Sequence, residues 1–154
     1  MKKYIKFAMI MCCLFLAGCA SNYYTVMPTQ NQGTTIGGMR TLLAYGDWIH
    51  TYVSAIDHQG IESASSFWEG TAYNIPVIPN QSHTFDISVR YMHHGIFAGQ
   101  YAGQGQLHAT LQPGQHYRVY GKYNGKNLDV WIQSNSGKRV TPIVLIHCTR
   151  ISIL

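Results

Sequence analysis

Residues 107–134, LHATLQPGQHYRVYGKYNGKNLDVWIQS, decide the fold. Asn124-Gly125 is a strong two-residue hairpin signal, because a type I′ turn needs two residues that tolerate positive φ. Read as that turn, it pairs Gly121 with Leu128, Val119 with Val130 and Tyr117 with Ile132, and all of these except the glycine are apolar. Pro113-Gly114-Gln115, read as a three-residue loop with Gly114 left-handed, pairs Leu111 with Tyr117 and Ala109 with Val119. A two-residue loop would set those apolar residues opposite His116 and Arg118 and split the face. Both turns therefore give one inward face. The outward face of this meander carries His108, Thr110, His116, Arg118, Tyr120, Lys122, Asp129 and Trp131. In that register Arg118 falls opposite Trp131 and Tyr120 opposite Asp129, so a cation–π contact is expected between the first two.

The same alternation extends outward along the chain. Between His83 and Met92, Phe85, Ile87, Val89 and Tyr91 share one side while Asp86, Ser88 and Arg90 take the other, the mark of a half-buried antiparallel strand. Asp47 to Asp57 is rich in aromatic and β-branched residues and ends at a turn, His58-Gln59-Gly60. Thr41 to Tyr45, Phe67-Trp68 and Ala72 to Ile78 read as shorter pieces, with Pro76 and Pro79 confining the last to an edge or a strand end. His93 to Gly105 reads as a long hairpin loop, and Ile143 to Ile146 as a strand covered on both sides. No stretch carries a helical stripe. The expectation is an all-β protein, an antiparallel β-sandwich of about seven or eight strands over residues 39–154.

The N-terminus has a different character. Lys2, Lys3 and Lys6 precede an apolar run from Phe7 to Leu16, which is half the length a bilayer span needs and reads as a signal-peptide core. Its end, Leu16-Ala17-Gly18-Cys19, resembles the lipobox of bacterial lipoproteins. That resemblance implies a signal peptide over residues 1–18 and a diacylated Cys19 as the first mature residue. Two or three acyl chains anchor firmly where one is marginal. Ala20 follows, not the Asp that usually retains lipoproteins in the inner membrane, which implies the outer membrane of a Gram-negative cell. Residues 19–38 contain no charge and many Thr, Gln, Asn and Gly, and read as a tether of about 25 Å reach.

Removing the signal peptide changes the charge and cysteine counts. Of the eleven Lys and Arg, three leave with the signal, so eight face six Asp and Glu and the net charge falls from +5 to +2. Cys12 and Cys13 leave too, and Cys148 remains the one free thiol beside an acylated Cys19, which excludes an intramolecular disulfide. No Lys/Arg cluster remains to bind nucleic acid.

Ile56-Asp57, Pro79-Asn80, Pro113 to Tyr117, and Val130-Trp131-Ile132 followed by Ser136-Gly137 occur in an order that resembles small Gram-negative lipoproteins with an immunoglobulin- or transthyretin-like sandwich. The shared motifs are turn chemistry. They imply a fold and a compartment but no activity. Most such relatives have Gly directly after the Asp. This chain has His58-Gln59-Gly60 there, which implies a longer turn.

All eight His lie beyond the signal. Of these, His93 and His94 are the metal-ligand candidates, although adjacent strand residues point to opposite faces. There is no Gly-x-Ser-x-Gly elbow, His-Glu-x-x-His or phosphate loop. Ten of eleven Tyr and all three Trp are in the mature chain, more than a small core usually hides. The expected function is therefore a non-enzymatic binding or structural module of the cell envelope. It is lipid-anchored in the outer membrane, faces the periplasm, takes no cofactor, and contacts a protein assembly or a glycan through His108, Arg118, Tyr120, Asp129 and Trp131. The alternatives are a periplasmic hydrolase and a His-based metal-handling lipoprotein. Cys19→Ser should abolish incorporation of a radiolabelled fatty acid in cells; persistent labelling would show that Cys19 is not the acceptor.

Overall fold

The computed structural model describes residues 23–61, 74–94, 98–125 and 127–151. The lipobox with Cys19, the signal peptide and the Phe67-Trp68 piece lie outside the described residues. The strands are β1 (Thr35–Gly37), β2 (Met39–Leu42), β3 (Trp48–Ile56), β4 (Gln59–Gly60), β5 (Ile75–Pro76), β6 (Ser82–His93), β7 (Gly99–Thr110), β8 (His116–Asn124), β9 (Asn127–Ser134), β10 (Val144–His147) and β11 (Thr149–Ile151). They form two sheets. Sheet A has the order β11-β7-β6-β3-β2 with β4 beside β3, and sheet B the order β10-β9-β8-β1-β5. The protein is an all-β sandwich, antiparallel except where β1 runs parallel to β8. The strand number exceeds the expected one because six of these elements are only two to four residues long.

The core lies between the inward faces. Phe85, Ile87 and Val89 of β6 share one hydrophobic cluster with Val119, Val130 and Ile132 of the opposite sheet, all at most 1% exposed. The alternation of β6 is as its sequence reads. Tyr117, Val119, Leu128, Val130 and Ile132, assigned to the inward face of β8 and β9, are buried, while Tyr123 near the end of β8 is exposed. The partners across this hairpin differ from the expected ones. The strands close at Asn124 opposite Asn127, placing Gly121 opposite Val130, Val119 opposite Ile132 and Tyr120 opposite Trp131. Asn124 stays in the ladder and donates through Nδ2 to the Asp129 carboxylate at 3.2 and 3.3 Å, while Gly125 takes the left-handed φ of +68°. The slide is two residues, one full side-chain period, so both faces survive it.

Five other expectations are corrected. Pro113-Gly114-Gln115 does not join paired strands, because β7 belongs to sheet A and β8 to sheet B. Gly114 is left-handed, as read, at φ +67°, but its N–H donates to Gln32 O and Thr34 Oγ1 and the turn is an arch between sheets. The space beside β8 is filled by the leading segment. Thr35, Ile36 and Gly37 pair with His116, Tyr117 and Arg118, and Ile36 is fully buried, so residues 34–37 belong to the domain and not to a tether. The β3–β4 turn is short: Ile56 pairs with Gln59 across Asp57 and His58, which both adopt positive φ.

The glycine-rich segment after Gly99 is strand β7, paired with β6 along its whole length. A Cβ on Gly103 would lie 2.5 Å from His147 O and 2.7 Å from Ile146 Cγ2, and one on Gly105 would lie 2.9 Å from Ile146. Those glycines are the seat on which β10 folds over the edge of sheet A before the chain passes into β11. β10 itself is covered on one side only, since Ile146 is 2% exposed while Ile143 and Leu145 are 47% and 45% exposed. Gly103→Ala should therefore cost about 1–3 kcal/mol by overpacking against backbone. Gly60→Ala, whose Cβ would make ordinary contacts at 3.8 Å, should be near neutral. Urea midpoints of the unlipidated Cys19→Ser protein check both.

Candidate binding faces

The outer face of sheet B is built by the alternation of β8 and β9. Tyr120 and Trp131 stand opposite one another, with ring centroids 5.9 Å apart and planes 13° from parallel. The expected Arg118–Trp131 stack is replaced by this aromatic pair, because the two-residue slide moves Arg118 opposite Gln133 and Lys122 opposite Asp129. Trp131 Nε1 donates to Gln133 Oε1 at 3.0 Å, which fixes the indole. Both rings are half-buried, and Arg118 and Lys122 beside them are exposed. Of the five residues read as one binding face, Arg118, Tyr120, Asp129 and Trp131 share this surface. His108 does not, for it lies on β7 in the other sheet, with its Nδ1 3.1 Å from Thr84 Oγ1.

The outer face of sheet A carries a second aromatic row that the sequence reading passed over. Trp48, His50 and Tyr52 alternate outward along β3, with centroids 6.3 and 5.5 Å apart, and Arg40 of β2 sits 5.1 Å over the Trp48 ring. The signal was present in the sequence DWIHTYVSAID, where the aromatic residues recur every second position. Beyond this row the face is shallow, because β6 and β7 present Ser88, Ala102 and Gln104. One hollow of about 440 Å³ lies against Tyr52, Arg90 and Gln104, and another of about 390 Å³ against Ser54, Asp86 and Gln104.

Two Asp–His clusters mark opposite ends of β3. At its start, Asp47 is 7% exposed; its Oδ2 lies 2.7 Å from His93 Nδ1 and accepts from Tyr91 OH at 3.2 Å, while Oδ1 accepts from the His94 N–H at 2.6 Å. Donation from the His94 backbone, then from His93, holds the Asp47 carboxyl below its ordinary range. Burial, with the Asp47 charge adding to it, pushes the Tyr91 phenol up. Tyr91 also stacks on Tyr123, 4.8 Å between centroids. His93 and His94 do converge on one group, since the second has left the strand, but among the described residues no three His, Cys, Asp or Glu side chains form a metal-ligating set.

At the other end His83 is 1% exposed, with Nδ1 2.6 Å from Asp57 Oδ2 and Nε2 2.8 Å from Ile78 O. Asp57 Oδ1 accepts from Thr84 N–H at 2.9 Å. Burial pushes the Asp57 carboxyl up, but donation from Thr84 and His83 outweighs it and the net shift is downward. This pair ties the positive-φ turn to β6. Burial raises the Cys148 thiol, which disfavours the thiolate.

No protein-family model, curated protein or solved structure matches the chain.

Asp47 and Asp57 titrate lower folded than unfolded, so they contribute stability that is full above the ordinary carboxylate range and is lost as pH falls through their folded values. Stability should start to fall as pH drops towards about 4 and keep falling below it. Asp57→Asn should flatten that acid limb, as read from urea midpoints over an acid pH series.

Proposed function

We propose that this protein is a lipoprotein of the outer membrane whose β-sandwich is a non-enzymatic binding module of the cell envelope. It faces the periplasm and contacts a protein assembly or a glycan. The anchoring half of this reading rests on the n-region, apolar run and Leu16-Ala17-Gly18-Cys19 tetrapeptide in that order. The binding half rests on the Tyr120–Trp131 pair. Two near-parallel rings on an outer sheet face, one pinned through Gln133, present apolar area at low entropic cost with Arg118 and Asp129 nearby. Stacked aromatics with polar neighbours suit either the C–H faces of a sugar or the anchor side chains of a protein partner.

The test is crosslinking in cells from a photoreactive residue at Lys122, exposed beside the pair, followed by mass spectrometry, repeated with Tyr120→Ala/Trp131→Ala. A reproducible envelope adduct that the double variant loses is expected, with affinity in a purified assay falling by about 2 kcal/mol, roughly thirty-fold. Adducts unaffected by the double variant, in a protein whose urea midpoint is otherwise retained, would remove this face from the proposal.

A further inference from the structure

We infer that the domain rests directly on the lipid surface by the end of the sandwich that carries Tyr23 and the β3–β4 turn. The inference rests on the lipoprotein reading above and adds the orientation of the domain. The leading chain is tied down from its fourth residue after Cys19. Tyr23 bridges to Gly60, Tyr24 N–H donates to Gly60 O at 2.9 Å, and the Tyr24 ring packs on the core edge-on to His83 at 6.3 Å. Further along, Gln32 and Thr34 accept from Gly114, and β1 enters sheet B. What separates the acylated cysteine from the domain is then Ala20, Ser21 and Asn22. Four residue steps span at most about 14 Å even when fully extended. Headgroups must therefore lie close to Tyr23.

The chemistry at this end fits that position. Tyr23 is 47% exposed and Met27 68%, so large apolar side chains stand in solvent on the very segment that leads to the anchor. Met27 is held at the tip of a turn, with Gln30 N–H donating to Met27 O at 2.9 Å and Gln30 Oε1 accepting from Met27 N–H at 3.1 Å. A tyrosine ring with its hydroxyl in water suits the boundary between headgroup and acyl chain. The neighbouring turn offers His58 and Gln59 as polar groups, and its one carboxylate, Asp57, is already engaged by His83 and Thr84. The far end, with Leu42 and the Asp47 cluster, stands about 26 Å away along β3, at about 3.3 Å for each of its steps.

The test uses the full-length lipidated protein in phosphatidylethanolamine/phosphatidylglycerol vesicles containing a headgroup-nitroxide lipid. A fluorophore is placed on Gln59→Cys or on Leu42→Cys in a Cys148→Ala background. Both positions are exposed, and the acylated Cys19 cannot be labelled. Quenching at Gln59 should exceed that at Leu42 several-fold. A flexible insert of about twenty Gly and Ser residues after Ser21 should bring Gln59 down to the Leu42 level. Equal quenching at the two sites, stronger quenching at Leu42, or quenching at Gln59 that survives the insert overturns the inference. Uniform quenching in protein that carries an acyl analogue on Cys19 overturns the inference alone. Protein that takes up no acyl analogue overturns the lipoprotein reading, and the inference with it.

Discussion

The two sheets approach closely at Gly103, Gly105 and Gly121, and much of the architecture is arranged around those contacts. Gly121 of β8 leaves space that Thr51 of β3 fills, its Cγ2 sitting 2.7 Å from where a Cβ would stand. The Thr51 hydroxyl uses the same proximity to donate across the interface to Val119 O at 2.5 Å. A buried hydroxyl without a partner would be costly, and Thr51 avoids that cost through Val119 O and, at 3.3 Å, Met39 O. At the other edge Gly103 and Gly105 receive Ile146, which lets β10 cross over sheet A and continue as β11. The small residues thus set the inter-sheet spacing. Four of the aromatic residues, Trp48, Tyr52, Tyr120 and Trp131, stand half-buried on the outer faces.

Period-two alternation is a local property, and where it was long it was readable. β6 declares its faces over ten residues, and the inward faces of β8 and β9 agree with their pattern despite the slide of their partners. What the sequence could not specify is which strand lies beside which. Pro113-Gly114 ensures a reversal of direction, yet the same reversal serves a hairpin or an arch. The choice went to the arch because Thr34–Gly37, some eighty residues earlier, competes for the edge of β8 and brings Ile36 into the core. Three residues flanked by glycines give no periodicity to detect. The string of glycines in β7 misled for a related reason, since glycine marks both flexible loops and close backbone approach. Only the position of Ile146 tells them apart.

The surface was legible to the extent that its strands were. Arg118, Tyr120, Asp129 and Trp131 stayed together because a slide of two residues preserves faces, and His108 was separated because it depended on the β7–β8 pairing. The Asp47 cluster was hidden for a different reason. Its members come from the entry to β3, from β6 and from the residue after β6, and they meet only because His94 turns out of the strand to donate its N–H to Asp47. No spacing rule anticipates that. The row Trp48, His50, Tyr52 needed only the alternation that β6 had already made persuasive.

Docking of the leading segment on the domain also bears on how the proposed anchor and the proposed binding face work together. A long free tether would let the sandwich tumble, so every face would sample the periplasm equally and partner binding would have to pay for lost orientation. Docking of Tyr23 and Tyr24 on Gly60 removes most of that freedom before any partner arrives. In the proposed orientation, with one end of β3 near the lipid, the strand axes would rise from the membrane and the outer faces of both sheets would become flanks. The Tyr120–Trp131 pair would then lie on a wall beside the bilayer. A partner lying along the membrane surface would meet it side-on, with the aromatic face already aimed, and the entropic cost of association would be correspondingly smaller. The uncharged, turn-rich composition of the leader, which reads as a linker, serves the opposite purpose. It lets a chain without strong local preference follow the contour of the domain it covers.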